Sequence, residues 1–230
     1  MLSKKTRSIF KPRTQDKQQE QLESIYSRFR EFTMIPRNLY LDNLKIAEKA
    51  RNLEGDVVEC GVWRGGMVAG IAELFRGDKN YYLFDSFEGL PPAKDIDGVA
   101  AKEWQKNFEG EFYNDNCKAE IDYAIKAMDQ TGASYKCIKG WFNETLKDIS
   151  FIGQISLLRL DGDWYESTMD CLTALFPKVV EGGIIIIDDY YAWTGCSRAV
   201  HDYLSSIQSA SRLWMSNECV AYIVKTESKS

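Results

Sequence analysis

The chain changes its hydrophobic rhythm several times, and each change marks an element. Leu22, Ile25, Tyr26 and Phe29 recur at i, i+3, i+4 and i+7, the stripe of an amphipathic helix. The segment "MIPRN" (34–38) interrupts it, and a second helix is expected over 39–52. Beyond it, apolar runs of strand length alternate with helical spacing. Strands are expected at "DVVEC" (56–60), "NYYLFD" (80–85), "ASYKCIKG" (133–140), "QISLLRLD" (154–161) and "GIIIIDD" (183–189). Helices are expected over 66–76, at Ile121, Ala124, Ile125 and Met128, over about 165–176, and at Val200, Tyr203, Leu204 and Ile207. "SFEGLPPAKDIDGVA" (86–100), rich in Gly and Pro, reads as a long loop, and "RLWMS" (212–216) with "CVAYIVK" (219–225) as a closing hairpin.

Apolar strands alternating with helices predict an α/β fold with a mostly parallel sheet, covered by helices on both faces. The hairpin adds an antiparallel strand at one edge. Residues 1–17 are polar, charged and without period, and are expected to form a disordered tail. Residues 18–230 are expected to form one domain, with an N-terminal helical segment at 18–52 and a Rossmann-like core at 53–230. No internal repeat is visible.

Composition narrows the function. Of 230 residues, 44% are hydrophobic and 27% charged, enough apolar material for a full core. The net charge of −5 argues against a general binder of nucleic acid or anionic membrane. None of the six cysteines forms a C-x-x-C pair, and several sit in apolar runs, so they read as reduced thiols of a cytoplasmic protein. The basic start lacks the apolar stretch of a signal peptide, and no run reaches the length of a membrane span.

The chemistry concentrates at strand ends. In open α/β sheets ligands bind beyond the carboxyl ends of the strands, and four of these strands carry an acidic residue at or near that end: Glu59, Asp85, Asp161 and Asp188. "VVECGVWRGG" (57–66) is strand, turn and helix start, in which Gly61 and Gly65 let the backbone turn tightly against a ligand. Trp63 stands where the dinucleotide fingerprint has its middle glycine. About 20 residues on, Asp85, with Ser86 beside it, can accept ribose hydroxyls. NAD and S-adenosylmethionine both satisfy this pattern. Clustered carboxylates separate the two, because like charges raise one another's pKa and a divalent cation relieves that cost. Asp161, Asp188 and Asp189 are the candidate oxygen ligands, suited to Mg²⁺ or another divalent ion. Asp163, turned back by Gly162, has two readings: a general base beside the metal, or an N-cap boxed with Glu166.

In this order and spacing, "ECGVWRGG", "FDSFEGLP", "KGWFNETL", "LRLDGDWYEST" and "IIIDDY" resemble the macrocin O-methyltransferase family over about residues 24–225. The resemblance implies a class I methyltransferase fold and a sugar O-methyltransferase that uses S-adenosylmethionine and Mg²⁺. The metal would be held by Asp161, Asp188 and Asp189, with Asp163 as base. Glu59 and Gly61 would hold the methionine part of the cofactor, Asp85 the ribose, and Gly140 with Trp141 the adenine, although Trp141 also reads as plain core. Met34 and Arg37 would line the pocket from a covering segment. A small sugar or glycoside acceptor and a homo-oligomer, dimer or larger, are implied as well. A catechol-type methyltransferase acting on an aromatic diol is the competing enzyme, and the few basic residues of 86–115 favour a neutral sugar over it. An NAD oxidoreductase leaves the carboxylates without a purpose, and a non-catalytic binding module would need a damaged site. His201 is expected to be solvated or capping, and Trp104 and Phe108 to pack locally.

Overall fold

A computed structural model describes residues 13–76, 79–110 and 113–226. Helix α1 (Arg13–Phe29) lays Leu22, Ile25 and Phe29 into the core. Its start at Arg13 makes 13–17 helical, which corrects the expected tail there; residues 1–12 lie outside the described part. After Pro36 comes α2 (Arg37–Ala47), followed by a single 3₁₀ turn, so the helix expected over 39–52 is both earlier and shorter.

The sheet contains β1 (Asp56–Cys60), β2 (Asn80–Asp85), β3 (Ser134–Lys139), β4 (Ile155–Leu160), β5 (Val179–Ile187), β6 (Leu213–Met215) and β7 (Ala221–Val224). Their order is β3-β2-β1-β4-β5-β7-β6. Neighbours are parallel, except that β7 runs antiparallel to both β5 and β6. The period of two along each strand feeds two cores. Val57, Leu83, Leu157 and Ile186 face α1, α2, α3 (Gly66–Phe75) and α5 (Ile121–Asp129). Val58, Phe84, Leu158 and Ile187 face α7 (Tyr165–Leu175) and α8 (Thr194–Ser206). None of the helices among the described residues is long and apolar enough to cross a membrane.

Three differences from the expected elements matter for the site. The expected loop over 86–100 ends early, with a 3₁₀ turn at Asp95–Asp97 and α4 (Val99–Lys106) beginning at its end. β5 stops at Ile187, so Asp188 and Asp189 occupy a 3₁₀ turn, where successive side chains need not point to opposite faces. α8 starts at Thr194, because small residues (Gly195, Cys196, Ala199) bury its first turns without the large apolar stripe that marks a helix in sequence.

Candidate active site

The carboxyl ends of β1, β2, β3, β4 and β5 open into one cavity of about 370 Å³. Met34, Glu59, Gly61, Asp85, Ser86, Gly140, Trp141, Asp161, Asp163, Asp188 and Asp189 all line it. Two expected residues do not. Arg37 turns outward to pair with Glu23. Gly65 adopts φ +80 at the start of α3 and lies so close to α5 that a Cβ there would sit 2.8 Å from Ala124 Cα. It shapes the turn from behind.

The first half of the cavity is the turn between β1 and α3. Gly61 has φ +87, and a Cβ on it would lie 1.7 Å from the Asp161 carbonyl oxygen. Only glycine lets β1 and β4 run this close together. Trp63 is left-handed as well, with φ 48. Asp85 holds this wound turn: its Oδ2 accepts the N–H groups of Val62 (2.6 Å) and Trp63 (2.8 Å), and its Oδ1 that of Phe87 (2.7 Å). Three of its roughly four lone-pair positions are thereby used. Asp85, expected to accept ribose hydroxyls, lines the cavity and also braces this backbone turn. Burial pushes its pKa up, against these hydrogen bonds.

Glu59 and Arg159 face each other in register on β1 and β4, both almost completely buried. Arg159 Nη1 donates to Glu59 Oε1 and to Asp161 Oδ2, each at 2.7 Å. Its Nη2 lies 2.6 Å from Asp188 Oδ1, and its Nε donates to Asn43 Oδ1 at 3.2 Å. Glu59 Oε2 is buried without a partner. Burial pushes the Glu59 carboxyl up to about 8, although Arg159 pulls it down.

The second half is acidic. Single carboxylate oxygens of Asp161, Asp163 and Asp189 all lie within 4.8 Å of one another. The expected trio was Asp161, Asp188 and Asp189. The structure instead brings Asp163 into the group and places Asp188 on the Arg159 guanidinium. Asp163 sits at φ 55, its N–H donates to Asp189 Oδ2 (2.9 Å), and its Oδ1 accepts from Trp193 Nε1 (2.9 Å). It does not cap α7. Asp97, in the insert between β2 and α5, does so, accepting the Tyr165 N–H at 2.7 Å, while Glu166 pairs with Lys94. Burial, followed by the neighbouring carboxylates, pushes Asp163 and Asp189 well up. Asp161 is pushed up to about 6, mainly by burial and against the pull of Arg159.

The cavity is roofed from two sides. Met34, from the segment before α2, meets Asn114 of the insert. Asn114, Asp115, Asn116 and Cys117 all have left-handed φ, a costly run that Asn116 secures through bonds with Leu90. Trp104, Trp164 and Trp193 pack edge to face beside Asp163, which bears out local packing for Trp104. His201 is exposed and bonds the Tyr190 hydroxyl at 2.8 Å. Sequence reasoning missed Arg159, Asn43 and Trp193. An arginine inside the apolar run "LLRLD" was a legible sign of a buried ion pair.

This strand order, with a glycine turn at one strand end and an acidic cluster at the next, defines a class I methyltransferase fold with a cofactor cavity. The match to known proteins is equally direct. The profile of the macrocin O-methyltransferase (TylF) family covers residues 4–222, and the chain belongs to that family. It is 34% identical over 166 residues to the demethyldecarbamoylnovobiocin O-methyltransferase of Streptomyces niveus, covering 70% of this chain and 63% of that one. It is 35% identical over 173 residues to the 8-demethyl-8-(2,3-dimethoxy-alpha-L-rhamnosyl)-tetracenomycin-C 4'-O-methyltransferase of Streptomyces olivaceus, covering 71% and 64%. The match thus spans less than two thirds of the length of these relatives. Among solved structures, the O-methyltransferase NovP superposes with a TM-score of 0.71 at 29% identity, over 85% of this chain and 83% of that one.

Proposed function

We propose that this chain transfers the methyl group of S-adenosylmethionine to a hydroxyl of a sugar on a glycosylated natural product, with a divalent cation at the carboxylate cluster. The observation that carries this reading is the meeting, in one cavity, of a glycine cradle and an oxygen-only donor set. The cofactor fits the first. Gly61 lets the β1 turn close against β4 and so sets the floor of this half, and the orphaned Glu59 Oε2 is an acceptor suited to the cofactor's amino group. Ser86, Gly140, Trp141 and Met34 complete that half, and Asp85 keeps one lone-pair position for a ribose hydroxyl. The cation fits the second, since Asp161 and Asp189 offer hard oxygen ligands without sulfur or imidazole. Asp188 is the third carboxylate that the family resemblance implies.

A divalent cation bound there would supply Lewis acidity that lowers the pKa of an acceptor hydroxyl. In this reading Asp163 takes the proton. Trp193 holds its Oδ1, which leaves Oδ2 free. The rest of the cavity orients two reactants in line, an effect worth roughly 7–11 kcal/mol when the geometry is right. Among the described residues Arg159 is the only cationic side chain lining the cavity, and its guanidinium is committed to carboxylates. The lining thus adds no free cationic side chain beside the metal to favour an acidic phenol, which favours a neutral sugar over a catechol. The curated relative from S. olivaceus acts, by its name, on a rhamnosyl-bearing acceptor.

Calorimetric titration with S-adenosylhomocysteine and with NADH, each in Mg²⁺ and in EDTA, tests the reading. Micromolar binding of S-adenosylhomocysteine without NADH binding is expected, and the reverse overturns it.

A further inference from the structure

The β1–α3 turn carries a feature that the methyl-transfer reading leaves unused. Trp63 lines the cofactor cavity in a left-handed conformation that a tryptophan rarely adopts. Its N–H is fixed by Asp85, and its indole Nε1 donates to the Lys118 carbonyl at 3.3 Å. On the ring lies the guanidinium of Arg64, 4.4 Å from the centroid. The ring of Tyr123, on α5, lies 4.6 Å from the same guanidinium. Arg64 is therefore stacked between two aromatic faces. Neither Arg64 nor Tyr123 lines the cavity. The close passage of α5 behind Gly65 brings Tyr123 within reach.

We infer that Arg64 and Tyr123 are positioning residues for the cofactor: the Trp63–Arg64–Tyr123 stack fixes the Trp63 indole as a preformed wall of the cofactor pocket. This inference rests on the proposed S-adenosylmethionine site. Two properties suit Arg64 to the task. Its planar cation stacks on aromatic faces as a lysine ammonium cannot, and its Nε has no hydrogen-bond partner, which leaves stacking as its main contact. A wall held in place before binding lowers the ordering cost that the ligand must otherwise meet.

The test is S-adenosylhomocysteine affinity measured by calorimetry on the full chain, alongside the melting temperature of the free protein. Arg64→Met and Tyr123→Ala should each weaken binding roughly tenfold, the equivalent of one cation–π contact. Arg64→Lys should fall between wild type and Arg64→Met. Tyr123→Phe keeps the ring and should bind as wild type does, a rescue that a hydroxyl-based role does not predict, while an unchanged melting temperature for Tyr123→Ala excludes a general folding role. Because Tyr123 is partly exposed, its pair of variants keeps the test intact if Arg64→Met fails to fold. Binding by Tyr123→Ala within twofold of wild type overturns the assignment while leaving the cofactor site standing. No binding by the wild-type chain removes the site and the assignment together.

Discussion

Gly61→Ala measures how tightly β1 and β4 close the floor of the cavity. At φ +87 an alanine is left-handed, which costs about 1–2 kcal/mol. The new Cβ would sit 1.7 Å from the Asp161 carbonyl oxygen and 2.6 Å from its carbon. Ordinary contact needs about 3.4 Å or more, so the strand ends must separate by well over an ångström. The bond from the Asp161 N–H to the Cys60 carbonyl, now 2.8 Å, lies in the path of that movement. Its loss adds about 1 kcal/mol. The total of about 2–3 kcal/mol corresponds to a melting temperature lowered by roughly 4–12 °C for a domain of this size. Gly132→Ala is the control. It has φ +69 but nothing within 4 Å of a Cβ, so it carries the conformational cost alone. Differential scanning calorimetry of both variants, with S-adenosylhomocysteine titration, separates clash from strain. If Gly61→Ala melts with Gly132→Ala and binds normally, the two strand ends are not in the contact described.

Asp85→Asn turns an amide NH₂ toward backbone donors that now meet a carboxylate; a loss of about 2–3 kcal/mol in chemical denaturation is expected, together with weakened S-adenosylhomocysteine binding. Unchanged stability would mean that the turn does not depend on Asp85. Trp193→Phe keeps the aromatic packing but removes the donor to Asp163, so Mn²⁺ affinity or turnover should fall roughly tenfold or more while cofactor affinity holds; both unchanged would deny Trp193 any part in orienting that carboxylate. Mn²⁺ affinity should weaken as pH drops through about 6, where Asp161 takes up a proton. The ligand must be deprotonated to bind, so the loss lies on the acid side; affinity flat from pH 8 to 5 would exclude Asp161 from the metal site.

The parts of this site that sequence revealed are those governed by local rules. Period-two strands ending in Glu59, Asp85 and Asp161 announce their own carboxyl ends, and a parallel sheet brings those ends to one rim. Gly61 and Gly65 were legible because a strand–turn–helix leaves few alternatives. The hidden parts depend on partners distant in the chain. Asn43 meets Arg159 across 116 positions, and Asp97 caps α7 across 68. Nothing near Asn43 in sequence marks it as buried, since its own helix supplies only its second bond, to the Leu39 carbonyl. Asp85's second task was hidden for the opposite reason: its position was legible, but the donors it serves, Val62 and Trp63, lie in a turn whose winding no residue pattern specifies.

The placement of Asp188 follows from counting charge. Two carboxylates 4.8 Å apart repel by roughly 3–4 kcal/mol at an effective dielectric constant of about 20. Asp161, Asp163 and Asp189 form three such pairs. Arg159 touches only Asp161 of the three, because the guanidinium also serves Glu59 and Asp188. One positive charge is thus divided among Glu59, Asp161 and Asp188, and Asp163 and Asp189 take no share of it. The raised pKa values of Asp163 and Asp189 show one way out, which is to bind protons. A divalent cation is the other, and it offsets two charges at once. Protons and metal therefore compete for the same oxygens. Asp188 stands outside that competition, held by Arg159 Nη2 at 2.6 Å and by the Asn43 amide at 3.4 Å.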